Sequence, residues 1–453
     1  MSLPHPSDLL PPSQPSFSSL LSSLKRSTLS IHNRLTSIRA DAEFVSRVEA
    51  AFGPRRPLVA NERCGSWYIP PRDKDGSAYF KSTDGHERAW KFSTRRLNMH
   101  LVEMIETNDG IIVVDSTRRG KRMPDALSTT IPIWCAVLNR ALLPDHPLSS
   151  QLFLPPYLPP STHSQITALI PSFVASLRAL NLSLPTCLTK PLRPFWITQD
   201  SFLAEEPVDC IFEDYRPIIC CTASRRVVGG SEMDEGGYIQ GAADDTENWA
   251  HGLTPVIFWS HSTELLETPE AELPSLIAQL VKEYTAEQNA SEQPTTKLTS
   301  CISVCPLPMA APEKDEICHI ALTTSTTDKT TWVKSPKYME IGLGKSKTAS
   351  RNLRLALPDI CRFASKFLAA QGSSAQIIIA CESGRDLSVA TALALFCYFF
   401  DEQDNFRVPD DNVSFTKTQI KIKLASIMTA YPGANPNRAT LQSVNSFLMD
   451  WKN

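Results

Sequence analysis

Ile377-Ile378-Ile379-Ala380-Cys381-Glu382-Ser383-Gly384-Arg385-Asp386-Leu387-Ser388 leads from an apolar strand through a short polar loop into Val389 to Phe400, an apolar helix. A buried strand, a loop with one glycine and a helix N-terminus place several backbone N–H groups around one point, with the positive end of the helix dipole behind them. The segment is therefore predicted to bind an anion.

Working outward, the surroundings read as a sheet ringed by helices, spanning 297–453. Short strands are predicted near 299–305, 317–323 and 338–342 and at Gln376–Ala380. Helices are predicted near 350–370, 388–400, 415–430 and 437–451, the last with Asn435 as N-cap and Pro436 in the first position. The loop resembles the phosphate loop of protein tyrosine and dual-specificity phosphatases, and Pro436 to Leu448 is similar to their closing helix. That resemblance implies a dual-specificity-phosphatase-like domain, in which the cysteine would be a thiolate nucleophile and an arginine six residues later would hold the phosphoryl oxygens in the transition state. Position 387 is Leu, and Arg385 comes two residues early, so the loop is expected to grip a phosphate that is not cleaved there.

Upstream, the polar stretch 286–298 marks a boundary, and 23–290 reads as an N-terminal α/β domain. Residues 1–22 are rich in Ser and Pro and should stay disordered. Helical spacing of apolar residues from Leu24 to Phe52 predicts one or two helices. Leu101–Glu106 and Ile111–Asp115, flanking Asn108-Asp109-Gly110, predict a hairpin. Ala126–Leu143 and about 161–180 read as helices. Strands are predicted at Pro194–Thr198, Asp209–Phe212, Pro217–Thr222 and Val256–Trp259.

No stretch approaches the roughly 20 apolar residues of a membrane span, and no signal peptide is visible, so a cytoplasmic protein is expected. The 12 cysteines are irregularly spaced, which suits reduced core thiols. Cys301, Cys305, Cys318 and His319 have the types for a zinc site, but alternation would bury Cys301 and Cys305. A net charge of -3 hides a segregation. Arg88 to Arg122 holds eight basic residues against four acidic, and Lys334 to Arg354 six against Glu340 alone, whereas acid collects from Glu232 to Glu247. Nucleic-acid affinity needs a basic face, which the net charge does not suggest, and a run of like charge taken alone is usually a solvated face.

Five blocks in order carry a wider resemblance: Asn61–Pro71 (NERCGSWYIPP), Lys81–His86 (KSTDGH), Asp115–Pro124 (DSTRRGKRMP) with Pro132–Cys135 downstream, Tyr238–Asp245 (YIQGAADD) and Cys381–Ser388. Together they resemble the fungal and plant initiator-tRNA ribosylphosphate transferases, over roughly residues 30–450. The resemblance implies transfer of a 5-phosphoribosyl group from phosphoribosyl pyrophosphate, with Mg2+, to the 2'-hydroxyl of adenosine 64 of initiator methionine tRNA. That modification keeps the tRNA out of elongation.

Such a reaction needs a grip on phosphate and pyrophosphate, counter-charge as pyrophosphate leaves, and a base near the hydroxyl. Cys381, Glu382, Ser383, Gly384, Arg385, Leu387 and Ser388 form one candidate phosphate or donor cradle. Asp115, Arg118, Arg119, Lys121 and Arg122, with Lys345, Lys347 and Arg351, are candidates for a second phosphate site or for tRNA. Which of the two holds the donor stays open. Asp244 and Asp245 are candidate Mg2+ or ribose ligands, and Asp386, Asp244, Asp245 and His86 candidate catalytic groups. Two rivals remain: an atypical cysteine phosphatase, and a noncatalytic phosphate or RNA reader. Leu387 argues against the first and the polar N-terminal blocks against the second.

Overall fold

The computed structural model describes residues 29–53, 55–81, 89–228, 237–290, 294–407 and 415–450. The Ser/Pro-rich tail, His86 and the start of the acidic stretch at Glu232 lie outside them.

Helix α1 (Ile31–Phe52) is the first element of the described residues, with Ser30 capping it by accepting from Asn33 N–H. Next come β1 (Leu58–Asn61), β2 (Gly76–Ala78), α2 (His100–Thr107) and β3 (Ile111–Asp115). A π-helical turn at Ala126–Thr130 leads into α3 (Ile131–Leu142), followed by α4 (Pro160–Arg178), β4 (Leu192–Ile197) and β5 (Arg216–Thr222). Helices α5 (Thr246–Trp249), α6 (Pro255–Ser260), α7 (Ser262–Glu267) and α8 (Leu273–Ala290) complete this half.

Its five strands form a parallel sheet in the order β2-β1-β3-β5-β4. Both faces are covered, which is why β3 and β5 are continuously apolar. Ile112, Val114, Ile219 and Cys221 enter the core beneath α1 and the helices after β5. Their neighbours Ile111, Val113, Ile218 and Cys220 enter the core beneath α2, α3 and α4. After β1 the chain moves to β2 on one side, and after β3 to β5 and β4 on the other. The topological switch point, where such sheets bind ligands, therefore lies between the carboxyl ends of β1 and β3.

The second half contains β6 (Thr296–Lys297), β7 (Ile302–Pro306), β8 (Ile317–Thr323), β9 (Val333–Ser335), β10 (Tyr338–Gly342) and α9 (Ser346–Gln371). It ends with β11 (Gln376–Cys381), α10 (Leu387–Phe399), α11 (Lys417–Ala430) and α12 (Arg438–Met449). The sheet order is β6-β7-β11-β8-β10-β9, parallel at its four central strands and antiparallel at both edges. Helix α10 is buried nearly all round, as its uniform apolarity requires. Ala425 of α11 joins the N-terminal core, so the two halves pack on each other.

Four expectations need correction. Leu101–Glu106 is not a hairpin strand but α2, because Leu101, Val102 and Ile105 share one buried helical face. Asn108-Asp109-Gly110 then ends the helix: Asp109 and Gly110 have positive φ, and Gly110 N–H donates to Ile105 O at 2.9 Å. Val256–Trp259 is helix α6, started by Thr254-Pro255, with the Thr254 side chain accepting from Ile257 N–H. Asp209–Phe212 is not a strand; Arg56 ties the carbonyls of Val208 and Asp209 down at 3.0 and 2.8 Å in place of a neighbouring strand. The last helix is capped by Asn437, which accepts from Thr440 N–H, and not by Asn435.

Candidate functional site

The phosphate loop follows β11 at the carboxyl edge of the second sheet. Gly384 has φ of 64°, and a Cβ there would lie 2.6 Å from Pro306 N at the end of β7, so only glycine lets the loop close against its neighbour. Cys381 is buried, with its Sγ 3.2 Å from Ser388 Oγ and 3.8 Å from Ser383 Oγ. Ser383 Oγ also accepts from Arg385 N–H at 3.2 Å. Leu387, where a phosphoryl-clamping arginine would be needed, is half-buried against the core. Burial, with Cys381 beside it, pushes the neighbouring Cys305 thiol up to about 11.

Asp386 stands at the N-cap position of α10 but does not cap it. Its carboxylate accepts instead from Asn437 N–H at 3.0 Å and Asn437 Nδ2 at 2.7 Å. Asn435 N–H donates to Arg385 O at 2.7 Å. The turn before α12 is thus sewn to the loop at two points. This explains why Asn435 does not cap the helix. The Asp386 carboxylate is thus engaged by the start of the last helix.

The outer face of the loop opens on a cleft between the two halves, about 690 Å³ in volume. Ser383, Arg385 and Asp386 contribute one wall and Glu62, Lys74 and Tyr79 the other. Lys74 Nζ and Ser66 Oγ bond Glu62 Oε1 at 3.1 and 3.0 Å, fixing that wall.

Glu62 is the chain neighbour of Arg63, which sits at the switch point of the first sheet. Arg63 Nη1 reaches Asp244 Oδ1 at 3.0 Å, and Nη2 reaches Asp115 Oδ1 at 3.4 Å and donates to Ser116 O. Asp115 is completely buried and accepts further from Asn61 Nδ2 at 2.8 Å, Ser116 N–H at 2.8 Å and Cys64 Sγ at 3.0 Å. Burial alone would lower the Arg63 pKa, but Cys64, Asp115 and Asp244 outweigh it and hold the guanidinium charged. Asp244 is raised by burial; Arg63 lowers it, while Asp115 and Asp245 raise it further.

Two sequence blocks more than a hundred residues apart meet here. Gly241, with φ of 72°, packs so closely on the basic loop that a Cβ would lie 2.8 Å from Thr117 O. Gln240 Nε2 donates to Lys121 O at 2.8 Å, and Gln240 Oε1 accepts from Gly120 N–H at 3.3 Å. Above this anchor Arg118, Arg119 and Arg122 are exposed, while Lys121 lies 3.3 Å from Asp125. Asp115, grouped with those cations in the sequence, points inward to Arg63. Lys345, Lys347 and Arg351 are exposed at the start of α9. They share the carboxyl edge of the second sheet with the phosphate loop, β10 standing two places from β11, or about 10 Å.

Asp244 and Asp245 are differently placed. Asp244 turns in to Arg63, and Asp245, at φ of 53°, is exposed. A guanidinium occupies the position between Asp115 and Asp244 that a cation held by those carboxylates would take. Among the described residues no three His, Cys, Asp or Glu side chains converge as metal ligands, the Cys301, Cys305, Cys318 and His319 group included. His319 Nδ1 lies 2.7 Å from Ala310 O. These carboxylates do not fit a protein-held Mg2+. Arg63, which has no partner signal in its local sequence, is the central residue that sequence reasoning missed; its place within the NERCGSWYIPP block was the available clue.

Comparison with known proteins fits both halves. The family model described as Rit1 N-terminal domain matches residues 24–282, and the one described as Rit1 DUSP-like domain matches 337–448. An uncharacterized protein of Schizosaccharomyces pombe is 37% identical over 439 residues, covering 92% of this chain and 94% of that protein. The tRNA A64-2'-O-ribosylphosphate transferase of Saccharomyces cerevisiae is 33% identical over 489 residues, covering 96% and 95%. Among solved structures, a mouse putative dual specificity phosphatase complexed with zinc tungstate is 15% identical, covers 35% of this chain and 89% of its own, and gives a TM-score of 0.24. The Yvh1 phosphatase domain from Chaetomium thermophilum is 17% identical, covers 35% and 95%, and gives 0.24. No helix among the described residues is long and apolar enough to cross a membrane. With both domain models matched in order and relatives aligned over nearly the whole length, the chain belongs to the Rit1 family.

Proposed function

We propose that the protein is a tRNA A64-2'-O-ribosylphosphate transferase acting in the cytoplasm on initiator methionine tRNA with phosphoribosyl pyrophosphate as donor. The observation that carries this is the alignment over 96% of the chain to a relative of that name. In the reaction the bond from C1 of the donor ribose to pyrophosphate breaks and a bond from C1 to the 2'-oxygen of adenosine 64 forms. The hydroxyl proton passes to a base and pyrophosphate departs, leaving a tRNA excluded from elongation. Mg2+ enters this reading as the counter-ion of pyrophosphate, not as an ion in a carboxylate cage. The loop at Cys381–Ser388 and the basic loop at Arg118–Arg122 are two places for phosphate, which suits a donor with phosphate at both ends or a donor and a tRNA backbone. The phosphatase rival is not favoured, because Leu387 leaves the loop without its phosphoryl clamp. The full chain incubated with initiator tRNA, radiolabelled phosphoribosyl pyrophosphate and Mg2+ should label that tRNA and not elongator methionine tRNA. No label transfer by folded protein would end this reading.

Two variants refine it. Cys381→Ser should keep transferase activity within about tenfold, since backbone amides and not a thiolate would hold the anion; a loss beyond about a thousandfold would mark a covalent nucleophile. If the exposed cations of the basic loop hold tRNA, Arg118→Ala with Arg119→Ala should weaken tRNA binding whatever its sequence. It should also flatten the salt dependence by roughly one unit of log-log slope per lost contact. A raised Michaelis constant for the donor with unchanged tRNA binding would assign the loop to the donor instead.

A further inference from the structure

Arg96 comes from the N-terminal half and crosses into the turn before α12. It is 8% exposed, an unusual degree of burial for an arginine. Its Nη1 donates to Ala434 O at 2.6 Å, its Nη2 donates to Asn435 Oδ1, and its guanidinium lies 4.4 Å from the centre of the Tyr79 ring. Among the described residues no carboxylate pairs with it, and its Nε is buried without a hydrogen-bond partner. Burial, with Arg95 adding to it, lowers its pKa to about 10, which still leaves it charged near neutral pH.

The turn that Arg96 holds is the one that holds the phosphate loop. Asn435 N–H bonds Arg385 O, and Asn437 bonds both oxygens of Asp386. Arg385 is exposed and lines the cleft with Ser383, opposite Lys74 and Tyr79. The path therefore runs from the Tyr79 ring and Arg96, through the hydrogen bonds of residues 434–437, to the part of the loop that lines the cleft. A cation this deeply desolvated, bonded among the described residues to a carbonyl and an amide, is an expensive way to join two domains if packing alone were needed.

We propose that Arg96 is a positioning residue: from the N-terminal domain it fixes the 434–437 turn and so presents Arg385 and the phosphate loop to a phosphate group bound in the interdomain cleft. The site is then composite, and the second domain alone lacks the residue that orders it. This rests on the reading of the loop as a phosphate grip, but not on the identity of the reaction.

The test is a titration of the full chain with inorganic phosphate in four forms: wild type, Arg96→Ala, Asn437→Ala and the double variant, with urea melts to show that each is folded. Asn437 lies at the loop end of the path, away from Arg96, so two independent defects would add. In a single relay they should not. Each single variant is expected to bind phosphate about tenfold more weakly, and the double variant about as weakly as either. Multiplying losses, unchanged affinity in Arg96→Ala, or no saturable binding by the wild type would each overturn the proposal. A wild type that binds phosphate in this pattern yet transfers no ribosyl phosphate would remove the transferase reading and leave the relay standing.

Discussion

Arg63→Ala should cost about 3–5 kcal/mol of stability and abolish measurable transfer, because removing one partner of a buried ion pair leaves the other charges uncompensated. Asp115, wholly buried, would keep only the donors Asn61, Cys64 and Ser116 N–H. Asp244, also partly buried, would face it without the cation that lies 3.0 Å from it now. The exposure of the Arg63 side chain, 23%, is low enough that water cannot replace the guanidinium at both carboxylates. Arg63→Lys should recover less than half of the loss, since one ammonium cannot make the forked contacts to Asp115, Asp244 and Ser116 O together. Urea unfolding midpoints at constant slope measure the effect. A shift worth under about 1 kcal/mol would mean that the cluster is held by its neutral hydrogen bonds and that Arg63 is dispensable there.

How much of this was legible in the sequence depended on whether a signal was local. The strand, loop and helix around Cys381 each carry their own periodicity and turn chemistry, and β8 and β10 fall where alternation put them. Asn108-Asp109-Gly110 misled because a left-handed pair ends a helix as well as it turns a hairpin, and only the partner strand or its absence decides. Asp209–Phe212 misled for a related reason: an extended, half-apolar run becomes a strand only if a sheet edge is free beside it, and Arg56 took its carbonyls first. In the site, the adjacency of Asp244 and Asp245 suggested a pair, yet Asp244 turns in to Arg63 while Asp245, with positive φ, is exposed. Arg63 and Arg96 acquire their meaning from partners 52 and 181 residues away for the first and 338 and 339 for the second. No window of sequence contains those pairs.

Asp41→Asn should flatten the dependence of stability on pH. Asp41 is buried on α1, where its Oδ1 accepts from Tyr238 O–H at 2.8 Å and Gln199 Nε2 at 2.9 Å. Burial pushes its carboxyl up to about 8, against those donors and the nearby backbone and charge of Arg225. The sign follows from proton counts: between its ordinary value of 3.8 and about 8 the folded chain holds a proton at Asp41 that the unfolded chain has released. Stability is therefore fully present below that window and is lost as pH rises through it, at roughly 1.4 kcal/mol per pH unit, for a total of a few kcal/mol. An amide keeps both accepted hydrogen bonds and cannot ionise. Other groups titrate too, Asp244 and Glu49 among them, so the quantity to measure is the difference between wild type and variant in urea melts at about pH 5, 7 and 8.5. The variant should match or fall slightly below wild type at the lowest pH and exceed it at the highest. Tyr238 heads the segment that carries Asp244, so charging Asp41 would also disturb the switch-point cluster, and transfer should fall as pH rises through about 8 in wild type but not in the variant. Parallel stability curves would show that Asp41 is already ionised in the folded chain, with Arg225 rather than a proton neutralising it.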